Sequence, residues 1–144
     1  MIDQEEFERA WRSAKQVALV AHHQQMRGDE PYVNHPMRVA HSCIAIWNDP
    51  YATVGGLLHD VLEDSAYNED TLLMCSIPEE VINVVKLVTC KSNTSRKDYI
   101  NNLLESGNVS ALRVKLMDAI DNSTWTYREE IVYRQKDWAS KRIY

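Results

Sequence analysis

The sequence predicts an all-α fold, because apolar residues recur at helical spacing and chain-breaking residues are few. The first such series begins with Phe7, Trp11 and Ala14. Only four Gly and four Pro occur among 144 residues, which is too few for the turns of a many-stranded β fold. Chains of this length rarely divide, so we expect one compact, multi-helix domain over residues 1–144.

The charge balance and the cysteine pattern restrict the environment and the partners. Sixteen Lys and Arg against 21 Asp and Glu give a net charge of −5, so we expect no binding to nucleic acid. The apolar runs are far shorter than the roughly 20 residues of a membrane-spanning helix, and the acidic N-terminus does not resemble a signal peptide. Three cysteines without a Cys-x-x-Cys pair indicate reduced thiols. We therefore expect a cytoplasmic protein without membrane contact.

Capping and breaking residues predict where the helices begin and end. The first helix stops before Gly28, and the segment Arg27–Pro31 is a loop by composition. His35-Pro36 starts the second helix because Pro suits the first turn, and Ser76-Ile-Pro-Glu79 has the pattern of a capping box. Helices after the first are predicted at about residues 34–47, 51–62, 69–75, 76–90, 95–105, 109–122 and 127–143.

The segment Leu57–Asp64 is the most informative stretch of the chain. As one helix at about 100° per residue, it places its apolar residues on one side. His59 and Glu63 then lie one turn apart on the other side, as do Asp60 and Asp64. Three carboxylates on one face repel one another unless a cation or bound water accepts their charge. The pattern predicts a cation site, and a solvated polar face is the alternative.

Small residues precede these polar residues on the same side of the predicted helix. They are Ala52, Gly55 and Gly56, although each Gly costs a helix about 1 kcal/mol relative to Ala. Their small size leaves room for another backbone or for a ligand to come close.

His35 and Asp118 are the candidates for completing a metal site from other parts of the chain. Pro36 restricts the backbone at His35 and so fixes the direction in which the imidazole leaves it. Asp118 lies on a predicted helix roughly opposite the apolar Leu116, with Asn122 one turn further on. The alternatives are a helix-start histidine and an exposed carboxylate, because spacing alone does not show that the two residues meet.

The ordered set His35, His59-Asp60 and Asp118 resembles the His…His-Asp…Asp signature of the HD-domain phosphohydrolases. Within them, the chain is most similar to the guanosine tetraphosphate (alarmone) hydrolase branch, which includes small stand-alone hydrolases. The blocks that carry the resemblance are Ala21-His22 with Gln25 and Arg27, Pro31-Tyr-Val-Asn-His-Pro36, Leu57-Leu-His-Asp-Val-Leu-Glu-Asp64, and Val114-Lys-Leu-Met-Asp118 with Asn122.

The resemblance implies an HD-domain fold built around one central metal ion. The resemblance implies manganese(II), which two imidazoles and two carboxylates suit, whereas structural zinc more often recruits Cys. On ligand type, magnesium, iron and nickel stay open as alternatives. The ligands implied by the resemblance are His35, His59, Asp60 and Asp118.

The resemblance also implies a reaction and the residues that perform it. Glu63 and Asp64 match the acidic pair that orients and deprotonates the attacking water. Arg27 matches a basic residue near the nucleotide, and Asn122 matches a polar position of the substrate pocket. The implied reaction uses a metal-activated water to remove the 3′-pyrophosphate from guanosine tetra- or pentaphosphate. A small-molecule nucleotide is then the expected partner, and we expect hydrolysis without synthesis.

The chain departs from these relatives beside the predicted pocket. Gly28 follows Arg27 where relatives place a second basic residue, and Ala119 and Asp121 stand where relatives read Asp-Arg-x-His-Asn. These changes make the pocket less attractive to a polyphosphate. Candidates for the missing phosphate contacts are Lys91, Arg96 and Lys97, and a solvated loop and helix start is the alternative. The alternatives are a phosphohydrolase of another nucleotide or dinucleotide phosphate and a non-catalytic nucleotide-binding or antitoxin-like module. A homo-oligomer stays open.

Overall fold

A computed structural model describes residues 2–124, and helices dominate this part of the chain. The prediction of an all-α fold is confirmed. The elements are α1 (Gln4–Ala21), β1 (Met26–Arg27), β2 (Glu30–Pro31), α2 (Asn34–Trp47), α3 (Pro50–Leu58), α4 (Val61–Asp64), α5 (Glu69–Met74), α6 (Glu79–Leu87), α7 (Arg96–Glu105) and α8 (109–124). The helix predicted at 127–143 lies outside the described residues. In the described part, no helix has both the length and the apolar character needed to cross a membrane.

The segment predicted as a loop after α1 contains a very short antiparallel hairpin. Strand β1 pairs with β2 so that Met26 lies opposite Pro31 and Arg27 opposite Glu30. Gly28 closes the turn with a φ of 62°, a left-handed conformation that residues with a Cβ adopt at a cost. The hairpin carries Arg27, whose side chain reaches Asn122 of α8.

The start of α6 differs from its prediction. The expected capping box at Ser76 is wrong: the helix begins at Glu79, and Pro78 is its N-cap without a side-chain hydrogen bond. Ser76 has a φ of 62°, so it belongs to the turn before the helix. A reciprocal capping box occurs instead at α5, between Asn68 and Thr71. It satisfies backbone N–H groups that a helix start otherwise leaves unpaired.

Helix α3 lies at the centre of the packing, and residues 52–58 are all buried. It contacts α1, α2 and α6. One apolar cluster contains Ala14 of α1, Leu58 of α3 and Val85 of α6. A second cluster brings Val39 of α2 and Val114 of α8 together on the other side. This arrangement places the C-terminal end of α3 deep inside the molecule.

The small residues of α3 serve helix packing. A Cβ added to Gly55 would lie 2.6 Å from Cγ1 of Val84, and one added to Gly56 would lie 3.1 Å from Cγ1 of Val39. The sequence left open whether another part of the chain or a ligand lies beside these glycines. The atoms found there belong to α6 and α2. The absence of side chains therefore lets α6 and α2 approach α3 closely.

The prediction of a continuous helix through residues 57–64 is wrong. Helix α3 ends at Leu58, His59 and Asp60 form a turn, and α4 starts at Val61. His59 and Glu63 therefore do not belong to one helix. Asp60 and Asp64 do lie one turn apart, because the N–H of Asp64 donates to the carbonyl of Asp60 at 3.0 Å. The turn at the buried end of α3 points His59 toward α2 and α8.

Candidate metal centre

Three segments that are distant in sequence meet at one buried group of side chains. His35 comes from the first turn of α2, His59 from the turn after α3, and Asp118 from α8. Oδ1 of Asp118 lies 2.9 Å from Nε2 of His35 and 3.2 Å from Nε2 of His59. One potential ligand atom from each residue lies within 4.8 Å of the other two. The geometry is that of a site that could hold a metal ion.

Asp60 lies at the edge of this group. Its Oδ2 is 3.1 Å from Nε2 of His59 and 3.8 Å from Nε2 of His35. The same oxygen accepts a hydrogen bond from the hydroxyl of Tyr32 at 2.6 Å. All four side chains that the sequence proposes as metal ligands are thus brought together, with Asp60 also bound to Tyr32.

The outer nitrogens of both imidazoles contact oxygens that can only accept a hydrogen bond. Nδ1 of His59 lies 2.6 Å from the carbonyl oxygen of Gly56, and Nδ1 of His35 lies 2.7 Å from Oδ2 of Asp121. Each Nδ1 must therefore carry the proton and donate it. This places both Nε2 atoms toward the centre, which is the orientation that a metal-binding histidine uses.

The charges of the site favour a cation. Burial lowers the pKa of His59, but the carboxylates of Asp60 and Asp118 outweigh it and raise that pKa to about 10. Burial raises the pKa of Asp118, but hydrogen bonds from His35 and His59 hold it well below its usual range. Two ionised carboxylates facing two nitrogen ligands stabilise positive charge between them.

The chemistry of this donor set fits a first-row divalent ion. Imidazole nitrogen and carboxylate oxygen are ligands for manganese, iron, cobalt, nickel and zinc. No cysteine is part of the group among the described residues. The set therefore fits a metal ion without showing which one.

The acidic pair Glu63 and Asp64 lies next to the metal-binding group, on α4. Oε1 of Glu63 accepts a hydrogen bond from the backbone N–H of Cys90 at 2.7 Å. Partial burial raises the pKa of Glu63, against the effect of that hydrogen bond, and the charge of Asp60 raises it further. Partial burial and Asp60 also raise the pKa of Asp64, which accepts a hydrogen bond from Gln25. Both carboxylates are therefore better proton acceptors than a fully solvated one.

The two residues proposed to bind substrate contact each other. Nη2 of Arg27 donates to Oδ1 of Asn122 at 3.0 Å, and Nδ2 of Asn122 donates to Oδ1 of Asp118 at 3.1 Å. Asn122 thus connects Arg27 of the hairpin to the metal-binding group. Lys115 adds a second cation, with Nζ 3.2 Å from Oδ2 of Asp118.

Sequence reasoning missed the contacts of Tyr32, Lys115 and Arg38. The expectation that Asp121 makes the pocket less attractive to a polyphosphate stays a prediction. Its carboxylate contacts His35 and pairs with Arg38 at 2.7 Å. A signal did exist for Lys115 and Asp121, because both lie three residues from Asp118 and share its helix face.

Lys91 lines a cavity of about 580 Å³, to which Lys86 and Tyr99 also contribute. It follows Cys90, whose backbone N–H donates to Glu63. That Lys91 supplies a phosphate contact stays a prediction.

Curated relatives identify the kind of protein to which this chain is similar. It is 33% identical over 115 residues to the guanosine-3′,5′-bis(diphosphate) 3′-pyrophosphohydrolase of Haemophilus influenzae, which covers 74% of this chain and 17% of that protein. The chain is a relative of these pyrophosphohydrolases. The Aquifex aeolicus protein of the same name is 31% identical over 137 residues, covering 88% of this chain and 19% of its own.

A third relative extends the same comparison. The probable guanosine-3′,5′-bis(diphosphate) 3′-pyrophosphohydrolase of Mycoplasma genitalium is 32% identical over 108 residues, 65% of this chain and 15% of that protein. The chain spans less than a fifth of the length of each of these three relatives. No protein-family model matches the chain. The resemblance indicated by the motifs is confirmed by these similarities.

Proposed function

We propose that the chain is a metal-dependent phosphohydrolase that removes the 3′-pyrophosphate from guanosine tetra- or pentaphosphate. The observation that carries the proposal is the convergence of His35, His59 and Asp118 beside an acidic pair. The similarity to proteins named for this reaction supports the choice of substrate. The products are then pyrophosphate and GDP or GTP.

The proposed metal ligands are His35, His59, Asp118 and Asp60. Asp60 completes the set because its Oδ2 lies within 4 Å of both Nε2 atoms. We propose manganese(II) from the resemblance to the HD-domain phosphohydrolases, and the nitrogen and oxygen donors fit that ion. A divalent ion in this position supplies Lewis acidity, which lowers the pKa of a water molecule and withdraws charge from phosphoryl oxygens.

Glu63 is proposed to take the proton from the attacking water. The N–H of Cys90 holds one carboxylate oxygen of Glu63, and the raised pKa makes that carboxylate a stronger base. Asp64, held by Gln25, is proposed to position the water. The water oxygen forms a bond to the phosphorus attached to the ribose 3′-oxygen. The bond from that phosphorus to the 3′-oxygen breaks, and the 3′-oxygen takes up a proton that balances the one accepted by Glu63.

Arg27 and Asn122 are proposed to contact the nucleotide. The guanidinium of Arg27 supplies a positive charge for the phosphates and a planar set of donors. Asn122 contacts both Arg27 and Asp118, so a substrate held by Arg27 would lie beside the metal-binding group.

The test is a product analysis with metal-stripped and Mn²⁺-loaded protein. Each preparation is incubated with guanosine 3′,5′-bis(diphosphate), GTP and a dinucleoside polyphosphate. We expect pyrophosphate and GDP from the first substrate, only when Mn²⁺ is present. Hydrolysis of another nucleotide with the bis(diphosphate) left intact would reject the proposed substrate. Tight nucleotide binding without turnover under every metal condition would reject an enzyme and favour the binding module.

Another nucleotide phosphate is the second candidate substrate, because of a specific feature of the hairpin. Gly28 takes the position after Arg27 where a second cation is expected, and Ala119 on α8 is exposed and uncharged. A substrate with fewer phosphate charges requires fewer cations in its pocket. The same panel of nucleotides distinguishes the two candidates.

A further inference from the structure

Two aspartates of helix α8 contact the two ring nitrogens of His35. Oδ1 of Asp118 lies 2.9 Å from Nε2 of His35, and Oδ2 of Asp121 lies 2.7 Å from its Nδ1. The two aspartates are three residues apart, so they project from the same face of the helix. One of them is a proposed metal ligand, whereas the other touches only the outer edge of the ring.

Asp121 is itself held in place from the opposite side. Nε of Arg38 donates to Oδ1 of Asp121 at 2.7 Å, and Nη2 donates to Oδ2 at 3.1 Å. Glu30 in turn accepts two hydrogen bonds from Arg38, at 2.9 and 3.2 Å. The carboxylate of Asp121 therefore has little freedom to rotate.

We propose that Asp121 is a positioning residue that fixes the ring orientation and the tautomer of His35 for metal binding. The inference rests on the metal site of the proposed function. A carboxylate can only accept a hydrogen bond, so it keeps the proton on Nδ1 and leaves the Nε2 lone pair facing the metal. The negative charge beside Nδ1 also makes Nε2 a stronger donor to the metal.

Two variants separate this role from a purely structural one. Asp121→Ala removes the acceptor for His35 and one carboxylate from Arg38. Glu30→Gln is the matched control, since it also removes a carboxylate charge from Arg38 but leaves the contact between Asp121 and His35. Asp121→Asn is the conservative variant, because its amide oxygen can still accept the proton of Nδ1.

The measurements are Mn²⁺ affinity by calorimetric titration and the melting temperature of the metal-free protein. We expect Asp121→Ala to weaken Mn²⁺ binding by about 10- to 100-fold. Asp121→Asn should lie between that variant and wild type, and Glu30→Gln should bind Mn²⁺ like wild type. If Asp121→Ala and Glu30→Gln lower the melting temperature alike while both keep wild-type Mn²⁺ affinity, the positioning role is overturned.

A second readout covers the case in which Asp121→Ala folds poorly. Nitrogen-15 NMR of histidine-labelled protein loaded with diamagnetic Zn²⁺ reports which ring nitrogen carries the proton. In wild type, we expect Nδ1 of His35 to be protonated and its proton to exchange slowly; in Asp121→Asn, that exchange should be faster. If the Nδ1 proton exchanges equally slowly in Asp121→Asn, the positioning role is overturned and the proposed function still stands. A wild-type chain that binds neither Mn²⁺ nor Zn²⁺ would overturn the proposed function as well.

Discussion

The group that accepts each Nδ1 proton determines how the two imidazoles of the metal centre are oriented. For His59, that group is the carbonyl of Gly56, three residues earlier in the chain. The contact is local and involves no second side chain, so it forms together with the end of α3. For His35, the acceptor is Asp121, 86 residues away, and it forms only when α8 packs against α2. The two ligands therefore differ in how far their geometry depends on the complete fold.

Glu63→Gln tests the proton acceptor. The amide oxygen of Gln can still accept the N–H of Cys90, so the local structure should persist, whereas the side chain can no longer take a proton. We expect kcat to fall by about 10²- to 10⁴-fold with Mn²⁺ affinity unchanged. Steady-state kinetics and metal titration measure both quantities. Glu5→Gln, on an exposed face of α1, is the control and should keep wild-type turnover; a Glu63→Gln variant with the same turnover would remove Glu63 from the mechanism.

At the scale of elements, sequence patterns predict most helices but not the break that shapes the site. The start of α2 follows from Pro36 and the start of α7 from Ser95, which are local signals. The break after Leu58 leaves no such signal: His59 and Asp60 have φ values of −61° and −99°, within or near the helical region. Because His59 and Asp60 are nearly helical, the spacing of apolar residues continues from α3 into α4 as it would in one helix. Predicting the turn requires knowledge of which helices pack against α3, and the sequence pattern does not give it.

Gly55→Ala tests the close packing of α3 against α6. The added Cβ would lie 2.6 Å from Cγ1 of the buried Val84, so the free energy of unfolding should fall by about 1–3 kcal/mol. Helix propensity opposes this effect by about 1 kcal/mol, and we expect the clash to win because Val84 is fully buried and stiff. Denaturant unfolding measures the difference.

A double-mutant cycle provides the control for this prediction. Val84→Ala alone leaves a cavity and should destabilise the protein. In Gly55→Ala/Val84→Ala the new methyl occupies part of that space, so the combined loss should be smaller than the sum of the two single losses. Additive losses, or a Gly55→Ala variant more stable than wild type, would mean that α3 and α6 are not in tight contact.

At the scale of the whole molecule, the metal centre links three regions that are distant in sequence. Its proposed ligands come from α2, the turn after α3, and α8, with His35 and Asp118 separated by 83 residues. The sequence could propose the ligand set by resemblance to the HD-domain phosphohydrolases. The proximity of these ligand side chains, and the contact of Asp121 with His35, depend on packing between distant segments. The spacing of residues along one helix does not describe that packing.

Metal binding should therefore stabilise the folded chain. An ion that binds only the folded state adds about 2.7 kcal/mol when its free concentration is 100 times the Kd. We expect Mn²⁺ to raise the melting temperature and a chelator to reverse the change, as measured by calorimetry. His59→Gln removes one ligand and should abolish the shift. An equal shift in that variant would place the stabilising ion elsewhere on the molecule.

The most direct measurement is the anomalous diffraction of a crystal grown with Mn²⁺. We expect a single strong peak in anomalous density within bonding distance of Nε2 of His35, Nε2 of His59 and a carboxylate oxygen of Asp118. A crystal in which these three side chains point away from one another, or in which the Mn²⁺ peak lies at other residues, would contradict the metal centre and the chemistry derived from it.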